Sequence, residues 1–399
     1  MSTAVAASTE LGTRPRPRDG ADAAPAVAPR GQSRFVFALS TREDDTEIRR
    51  LLRENALPGE ISLSFEREPD AAVAASIEGD LHQTLVARDH CTGRIAGLAA
   101  RSVRTMFVNG RATRVGYLGQ LRVARGCRSL RTLIDEGFAF CRALHERGDA
   151  PAYLTSLVSD NDAARRLLVE RPSATAPRFT PIDGLTTFAI PVRQTLRHAD
   201  RVRTCQGRPE LVDEIAACLQ RNLRRYQFAP CWEAEELKSR LPGLSPTDFV
   251  VAVDDQRVVG CAALWDQRAF KQVVVRGYSP ALRRARPLVN LAGRLLGTPH
   301  LPAIGEQLQF GYLSHIAVDD DREDILVALM AAQIGRVRRA GLDYVVAAFP
   351  DRHAFQRPVR RTWRHRAYSS VLYAACWSDG EGFVQSLDGR PAQPEVAIL

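Results

Sequence analysis

The chain has 399 residues, of which 45% are apolar, and it carries a formal net charge of +9. This composition provides enough apolar side chains for substantial cores, and the length fits two or three domains. We find neither an apolar stretch long enough for a membrane span nor a signal-peptide pattern, so we expect a cytoplasmic protein. The eight cysteines are scattered without a CxxC pair, which argues against a zinc site and a disulfide framework.

The first segment, residues 1–33, is rich in alanine, proline and arginine and shows no apolar period. Such a segment buries too little apolar surface to offset the entropy of ordering. We therefore predict a disordered N-terminal tail.

Residues 34–194 show the pattern of one mixed α/β domain. The short apolar strand FVFALS precedes helical patterns, and a hairpin follows with its turn at Thr92 and Gly93. The strand GYLGQLRV at 116–123 comes next, and then a long amphipathic helix, the strand AYLTSLV, a short helix and a final strand region.

Residues 195–379 repeat this order of elements. The hairpin segment VVAVDDQRVVGCAA matches LVARDHCTGRIAGLAA with a turn two residues shorter, and GYLSHIAV at 311–318 matches GYLGQLRV. Because the neighbouring elements repeat in the same order, an internal duplication is favoured over chance. We interpret His315, within the second phrase, as a structural or domain-interface residue.

The second copy also carries an insert near 279–300, and residues 380–399 form a C-terminal tail. The insert predicts a basic amphipathic helix broken at Pro287. Such a helix suits contact with an anionic membrane surface or an acidic partner, or a lid over the second sheet, which we favour. The basic run RPVRRTWRHR lacks any accompanying nucleic-acid motif, so we do not expect nucleic-acid binding.

The segment LRVARGCRSLRTLIDEGFAF, which opens the first long helix, resembles a loop of the GNAT superfamily of N-acetyltransferases. The resemblance covers roughly residues 34–192 and 201–378, in a tandem arrangement. It implies two domains, each a mixed, mostly antiparallel sheet flanked by helices, with the two sheets facing one another. It also implies a transferase that uses acetyl-CoA or another acyl-CoA, without a metal, to acylate a small-molecule or peptide amine.

In this family the loop V-x-x-x-x-[R/Q]-x-x-G-x-[G/A] holds the pyrophosphate of acetyl-CoA on backbone N–H groups, as helix N-termini do for anions. Val123 and Arg128 match the pattern, whereas Arg131 and Leu133 stand at its two small positions. Three arginines around the loop still favour an anionic partner. The resemblance places the thioester beside Leu121, Arg122 and Val123, and it makes the following residues cofactor-binding candidates: Arg128, Ser129, Leu130, Arg131, Thr132, Leu133 and Asn161.

The usual catalytic groups of the family are absent from their positions. Tyr117 stands where the family often has a glutamate base, and a tyrosine with a pKa near 10 is a poor base. We assign Tyr117 as the candidate catalytic residue, with lining of the acceptor cleft or simple packing as the alternative. Asn161 and Ala164 match the family's N-x-x-A motif, but Leu168 replaces its tyrosine acid.

The matching loop of the second copy, HIAVDDDREDILVALM, is acidic and would repel a pyrophosphate. We therefore expect the first copy alone to bind the donor. The leading hypothesis is an N-acyltransferase with an acyl-CoA donor. The alternatives are an acyltransferase whose donor is acyl carrier protein, since a basic surface suits an acidic carrier, and a non-catalytic pseudo-acetyltransferase that binds a ligand or partner.

Overall fold

A computed structural model of the protein describes residues 33–127, 129–193, 202–255, 257–296 and 300–399. The predicted disordered tail therefore lies, apart from Ser33, outside the described residues, and so does Arg128.

The described residues form fifteen strands and ten α-helices. The strands are β1 Phe35–Leu39, β2 Ile61–Glu66, β3 Leu81–Asp89, β4 Ile95–Val108, β5 Arg111–Val123, β6 Tyr153–Val158, β7 Arg178–Pro191, β8 Thr204–Gln206, β9 Ala229–Pro230, β10 Phe249–Asp254, β11 Arg257–Trp265, β12 Gln272–Tyr278, β13 Phe310–Val318, β14 Tyr344–Pro350 and β15 Arg366–Cys376. The helices are α1 Asp45–Glu54, α2 Ala71–Ala75, α3 Leu130–His145, α4 Asp162–Arg165, α5 Val212–Leu223, α6 Ala234–Ser239, α7 Pro280–Leu296, α8 Glu323–Arg339, α9 Gln356–Thr362 and α10 Glu381–Gln385.

Thirteen of these strands form one sheet, whose order is β1-β3-β4-β5-β6-β15-β7-β14-β13-β11-β10-β8, with β9 beside β4. The pairs β5–β6 and β13–β14 are parallel, and the other pairs among the described strands of this sheet are antiparallel. The predicted mixed, mostly antiparallel sheet flanked by helices is confirmed. The expectation that two sheets would face one another is wrong, because the halves join edge to edge.

The two halves join by exchanging their last strands. Strand β15, from the second half, lies between β6 and β7, while β7, from the first half, lies between β15 and β14. Each exchanged strand thus satisfies its backbone hydrogen bonds in the other half. The sheet is therefore continuous across the middle of the sequence.

The repeated phrase forms the same bulged strand twice. Against the preceding hairpin strand, Val123 lies opposite Gly97 in the first half, and Val318 lies opposite Gly260 in the second. The register then shifts by one residue in both copies. The shared register shows that the two phrases occupy equivalent positions.

Each half covers this strand with its long helix. The first of these, α3, buries Leu133, Ile134 and Cys141 along one stripe, and Leu133 packs in a cluster with Leu121 and Val123 of β5. Burying a leucine side chain contributes about 1.5–3 kcal/mol, so this stripe holds the helix against the sheet. The helix start is thereby held beside the end of β5.

The segment before the insert reaches back to the first half. Strand β12 pairs antiparallel with β2, and α7, which forms the insert, follows directly. The predicted break at Pro287 is wrong, because α7 continues through it. A proline in a helix removes one backbone hydrogen bond, and at this exposed position water can bond the freed carbonyl. Leu288 and Leu291 are 71% and 58% exposed on the outer face of α7.

The C-terminal residues also pack into the body of the protein. Ala392, Ala397 and Ile398 are buried, and the carbonyl of Ala397 accepts hydrogen bonds from Gln267 and Lys271 at 2.9 and 3.1 Å. Ala392 packs in a cluster with Val115 of the first half, so this segment lies beside both halves. Within the described parts of the chain, no helix is long and apolar enough to cross a membrane.

Candidate acyl-transfer site

The bulge in β5 marks the centre of the candidate site. Gln120 has a φ of 57°, in the left-handed region, and the register against β4 shifts at this point. A non-glycine residue in this region costs roughly 1–2 kcal/mol, so such a conformation is retained where the fold requires it. A bulge leaves its extra residue outside the ladder. The backbone amide of Gln120 is therefore a candidate donor to a ligand.

The strands on either side of this bulge separate. Strands β5 and β6 pair only at Gly116 with Tyr153 and at Tyr117 with Leu154. Beyond Tyr117 the sheet opens onto a cavity of about 400 Å³, which Gln120 and Leu121 line from one side and Leu157 from the other. This volume lies in the range of small-molecule sites.

One part of the cavity is apolar and runs beneath α3. Its lining residues come from α3, β1, β3, β5 and β7, and they are Phe37, Leu85, Leu118, Leu133, Ile134, Phe138, Cys141 and Phe179. Gly137 faces Phe37 here, since a Cβ atom at this glycine would lie 3.4 Å from the ring. This apolar arm suits a hydrocarbon group.

The opposite part of the cavity is polar and centres on Glu78. This carboxylate forms an ion pair with Arg67, lies 3.2 Å from His82 Nδ1, and accepts hydrogen bonds from Gln120 Nε2 at 3.3 Å. Burial alone would raise the pKa of Glu78, but the charge of Arg67 and the His82 hydrogen bond lower it to about 2. Glu78 therefore stays ionised and is a weak base.

Two further cations line the same cavity. Lys271 donates to the carbonyl of Ala397 at 3.1 Å, and burial lowers its pKa to about 8 against the opposing charge of Glu78. Arg122 donates to the carbonyl of Leu121 at 3.0 Å, and burial together with the charge of Arg67 lowers its pKa. The second half therefore supplies the side chain of Lys271 to the site of the first half.

Tyr117 lies beside the bulge with its hydroxyl 2.9 Å from Ser156 Oγ. Burial raises its pKa above the ordinary value of 10. The phenol is therefore protonated at neutral pH and acts as a hydrogen-bond partner. Asn161, on the far side of the cavity, caps α4 by accepting from the Ala164 amide at 3.1 Å.

The cofactor-binding candidates do not all gather around the cavity. Leu121, Arg122, Leu133 and Asn161 line it, and Val123 packs in the same cluster as Leu133. The others surround the start of α3: Ser129 is the N-cap residue without a side-chain cap bond, and Leu130, Arg131 and Thr132 are exposed.

The guanidinium of Arg131 already has partners. It donates to the carbonyls of Arg171 and Pro172 at 3.0 Å each, and its Nε lies 3.2 Å from Asp135. The backbone N–H groups of this first turn are the anion-binding feature that remains.

The corresponding place in the second half is occupied by protein. His315 repeats the bulge with a φ of 51°, and its backbone amide donates to Glu395 at 2.9 Å. The space remaining there is about 20 Å³. Full burial lowers the pKa of His315 to about 3, so this imidazole is neutral.

The acidic loop of the second half is neutralised by α5 and the residues after it. Asp319 bonds Arg221 and Asn222 at 3.0 and 2.6 Å, and Asp321 bonds Arg225 at 2.7 Å. These contacts give Asp319 and Asp321 a structural role. The loop therefore does not resemble a phosphate-binding site.

Sequence reasoning did not single out Glu78, Arg67, Gln120 or Lys271. Gln120 could have been found from the repeated phrase, because aligning GYLGQLRV with GYLSHIAV pairs Gln120 with His315. Lys271 is one of only two lysines in a chain that otherwise uses arginine for positive charge. Glu78 and Arg67 lie in polar sequence without a recognisable pattern. Among the described residues, no cluster of potential ligands is arranged to hold a metal ion.

Comparisons with known proteins identify the fold. No family model and no curated protein sequence matches the chain. Saccharomyces cerevisiae N-myristoyltransferase with bound myristoyl-CoA matches with a TM-score of 0.57 and 13% identity, covering 94% of this chain and 85% of that chain. A GCN5-related glucosamine N-acetyltransferase region of a fungal multi-domain β-N-acetylglucosaminidase matches with a TM-score of 0.57 and 14% identity, covering 88% of this chain and 38% of that one. The chain thus has the GNAT fold in tandem, as the sequence resemblance predicted.

Proposed function

We propose that the protein is an N-acyltransferase that transfers an acyl group from acyl-CoA to an amine at the cavity beside Gln120. The observation that carries this proposal is the bulged strand at the opening between β5 and β6, with an apolar arm on one side and ionisable groups on the other. The second half completes the site with Lys271 and has its own bulge occupied by Glu395.

The donor would lie across the opening, with its phosphates at the start of α3. The backbone N–H groups of Ser129 to Leu133 would bind the pyrophosphate there, with Arg128 as a further candidate partner. The thioester carbonyl would accept a hydrogen bond from the bulge amide. When the acceptor nitrogen attacks the carbonyl carbon, this amide stabilises the oxyanion that forms, and the C–S bond then breaks.

Two side chains would handle the protons of this reaction. Among the ionisable groups that line the cavity, Lys271 has a pKa near neutrality, so its neutral fraction can accept the proton that the acceptor ammonium loses. Glu78 is too weak a base for this step. Tyr117 would donate a hydrogen bond to the departing thiolate, with Ser156 holding its hydroxyl in place.

The apolar arm supports a donor acyl chain longer than acetyl. An acetyl group has two carbon atoms and would leave most of the apolar lining unfilled, and unfilled apolar space forfeits dispersion contacts. The structural likeness to an N-myristoyltransferase with bound myristoyl-CoA agrees with this choice.

Isothermal titration of the full chain with acetyl-CoA, dodecanoyl-CoA and myristoyl-CoA tests the proposal. We expect micromolar binding of a long-chain ester and weaker binding of acetyl-CoA. Absence of binding for all three esters would contradict an acyl-CoA donor. It would favour the carrier-protein donor or the non-catalytic binding module.

A further inference from the structure

The side chain of Arg122 projects onto the face of the sheet opposite α3. Arg122 lies opposite Leu98 in the ladder, and Leu98 packs against Leu51 of α1. Its neighbour Leu121 instead packs in the cluster of Leu133 on α3. Because successive side chains of a strand point to opposite faces, Arg122 faces α1. The start of α3, which offers the donor site, is on the other face.

Arg122 has no carboxylate partner within 4.0 Å among the described residues, although it lines the cavity and is partly buried. A second guanidinium, Arg67, lies close enough to disfavour its charge. The carboxylate that acts on Arg67 and Lys271 is Glu78, which pairs with Arg67, lies 3.2 Å from His82 Nδ1 and accepts from Gln120 Nε2. Two other charged side chains line the cavity and are paired, Glu66 with Arg276 and Arg101 with Asp149. Arg67, Arg122 and Glu78 therefore leave an excess of one positive charge, before Lys271 is counted.

An unpaired cation in a partly desolvated site is costly unless an anion offsets it. The fork of an arginine matches a planar carboxylate, with which it can form two parallel hydrogen bonds. Arg122 lines the cavity, so an anion that pairs with it can come from a ligand. In the proposed arrangement the donor's phosphates lie on the α3 face, which leaves the acceptor to supply this anion.

We propose that the acceptor is an amine that also carries a carboxylate, and that Arg122 binds this carboxylate beside the bulge. This inference rests on the proposed N-acyltransferase function and adds the chemical class of its acceptor. An amino acid or a short peptide with its carboxylate at Arg122 places its amine toward the thioester. Lys271 is then the neighbour that accepts the amine's proton.

Binding of two matched product analogues tests this assignment. N-dodecanoylglycine carries the carboxylate, and N-dodecanoylglycinamide replaces it with a neutral amide of similar shape. Isothermal titration of the full chain is expected to show the acid binding at least about tenfold more tightly than the amide. Equal affinities, or no binding of either compound, would overturn the proposal, and this comparison needs no variant.

Variants then locate the binding residue. Arg122→Gln is expected to abolish the preference for the acid while leaving affinity for dodecanoyl-CoA within about threefold. Arg111→Gln, an exposed arginine at the start of the same strand, is expected to keep the preference. A preference that survives Arg122→Gln would also overturn the assignment. If the unmodified chain does not bind dodecanoyl-CoA, the proposed N-acyltransferase function itself is contradicted.

Discussion

The backbone amide of His315 donates a hydrogen bond to Glu395 at 2.9 Å, at the position that Gln120 occupies in the first half. The same bulge thus faces a ligand-sized cavity in one half and a protein side chain in the other. The carboxyl group of Glu395 occupies the place where a thioester carbonyl would bind by analogy with the first half. The duplicated fold has therefore kept the bulge in both copies while leaving space at only one.

Burial raises the pKa of Glu395 to about 7. Because this exceeds the unfolded value, the native carboxyl holds a proton that the unfolded chain releases above about pH 4.5. Its contribution to the free energy of unfolding is therefore complete below that pH and is lost as the pH rises through 7. We predict that the difference in free energy of unfolding between wild type and Glu395→Gln falls by up to roughly 3 kcal/mol across this window.

Urea denaturation at pH 4.5 to 8 measures this difference. Burial also lowers the pKa of His315, and this shift makes the folded state less stable as the pH falls below 6.5. Both proteins contain His315, so its effect cancels in the difference. Glu214→Gln, at an exposed position of α5, is the control. A difference for Glu395→Gln that does not change with pH would contradict the raised pKa of Glu395.

The two lysines of the chain provide a matched test of proton transfer. Lys271→Met removes the proposed proton acceptor and should lower kcat at least about 100-fold, a typical general-base effect, with long-chain acyl-CoA affinity retained. Lys238→Met, at an exposed position of α6, should leave kcat unchanged. Steady-state assays of free thiol release, with glycine as acceptor, provide the measurement. Full activity of Lys271→Met would remove this residue from the mechanism.

A larger residue at Gly137 should shorten the acyl chain that the cavity accepts. The Cβ atom there would already lie 3.4 Å from Phe37, so a leucine would occupy the apolar arm. Titration of Gly137→Leu with acyl-CoA esters of increasing length should show that affinity stops rising at a shorter chain than in wild type. Gly335→Leu, in the corresponding helix of the second half, has room for its side chain and should leave the length profile unchanged. If Gly137→Leu and Gly335→Leu show the same dependence of affinity on chain length, the acyl chain does not bind in the apolar arm.

The glycine that opens each repeated phrase is required by packing. A Cβ atom at Gly116 would lie 2.0 Å from the Tyr153 ring, and one at Gly311 would lie 2.7 Å from Leu264. Each Gly→Ala substitution should therefore lower the free energy of unfolding by about 1–3 kcal/mol. Thermal unfolding of Gly116→Ala measures this loss, and Gly382→Ala, where nothing lies within 4 Å, is the control. A Tm equal to that of wild type would show that Tyr153 moves aside freely.

The sequence predicted the duplication and the mixed sheet, and both predictions are confirmed. Hydrophobic periodicity and the repeated phrase are local properties, and they locate β5 and β13 at equivalent positions in two similar halves. The acidic residues after GYLSHIAV, such as Asp319, likewise predicted that the second loop would differ from a phosphate site. These predictions needed only the order of residues along the chain.

The tertiary structure alone decided how the halves join and which side chains meet. The exchange of β7 and β15 depends on edge pairing between segments far apart in sequence, which no local pattern encodes. Lys271 reaches the first half only because β12 pairs with β2. The family resemblance singled out Arg122 beside the thioester, but only the fold showed that Arg67 acts on it and that it has no carboxylate partner among the described residues. Charge balance in a cavity is a property of three-dimensional neighbours, so our proposal for the acceptor could be made only from the structure.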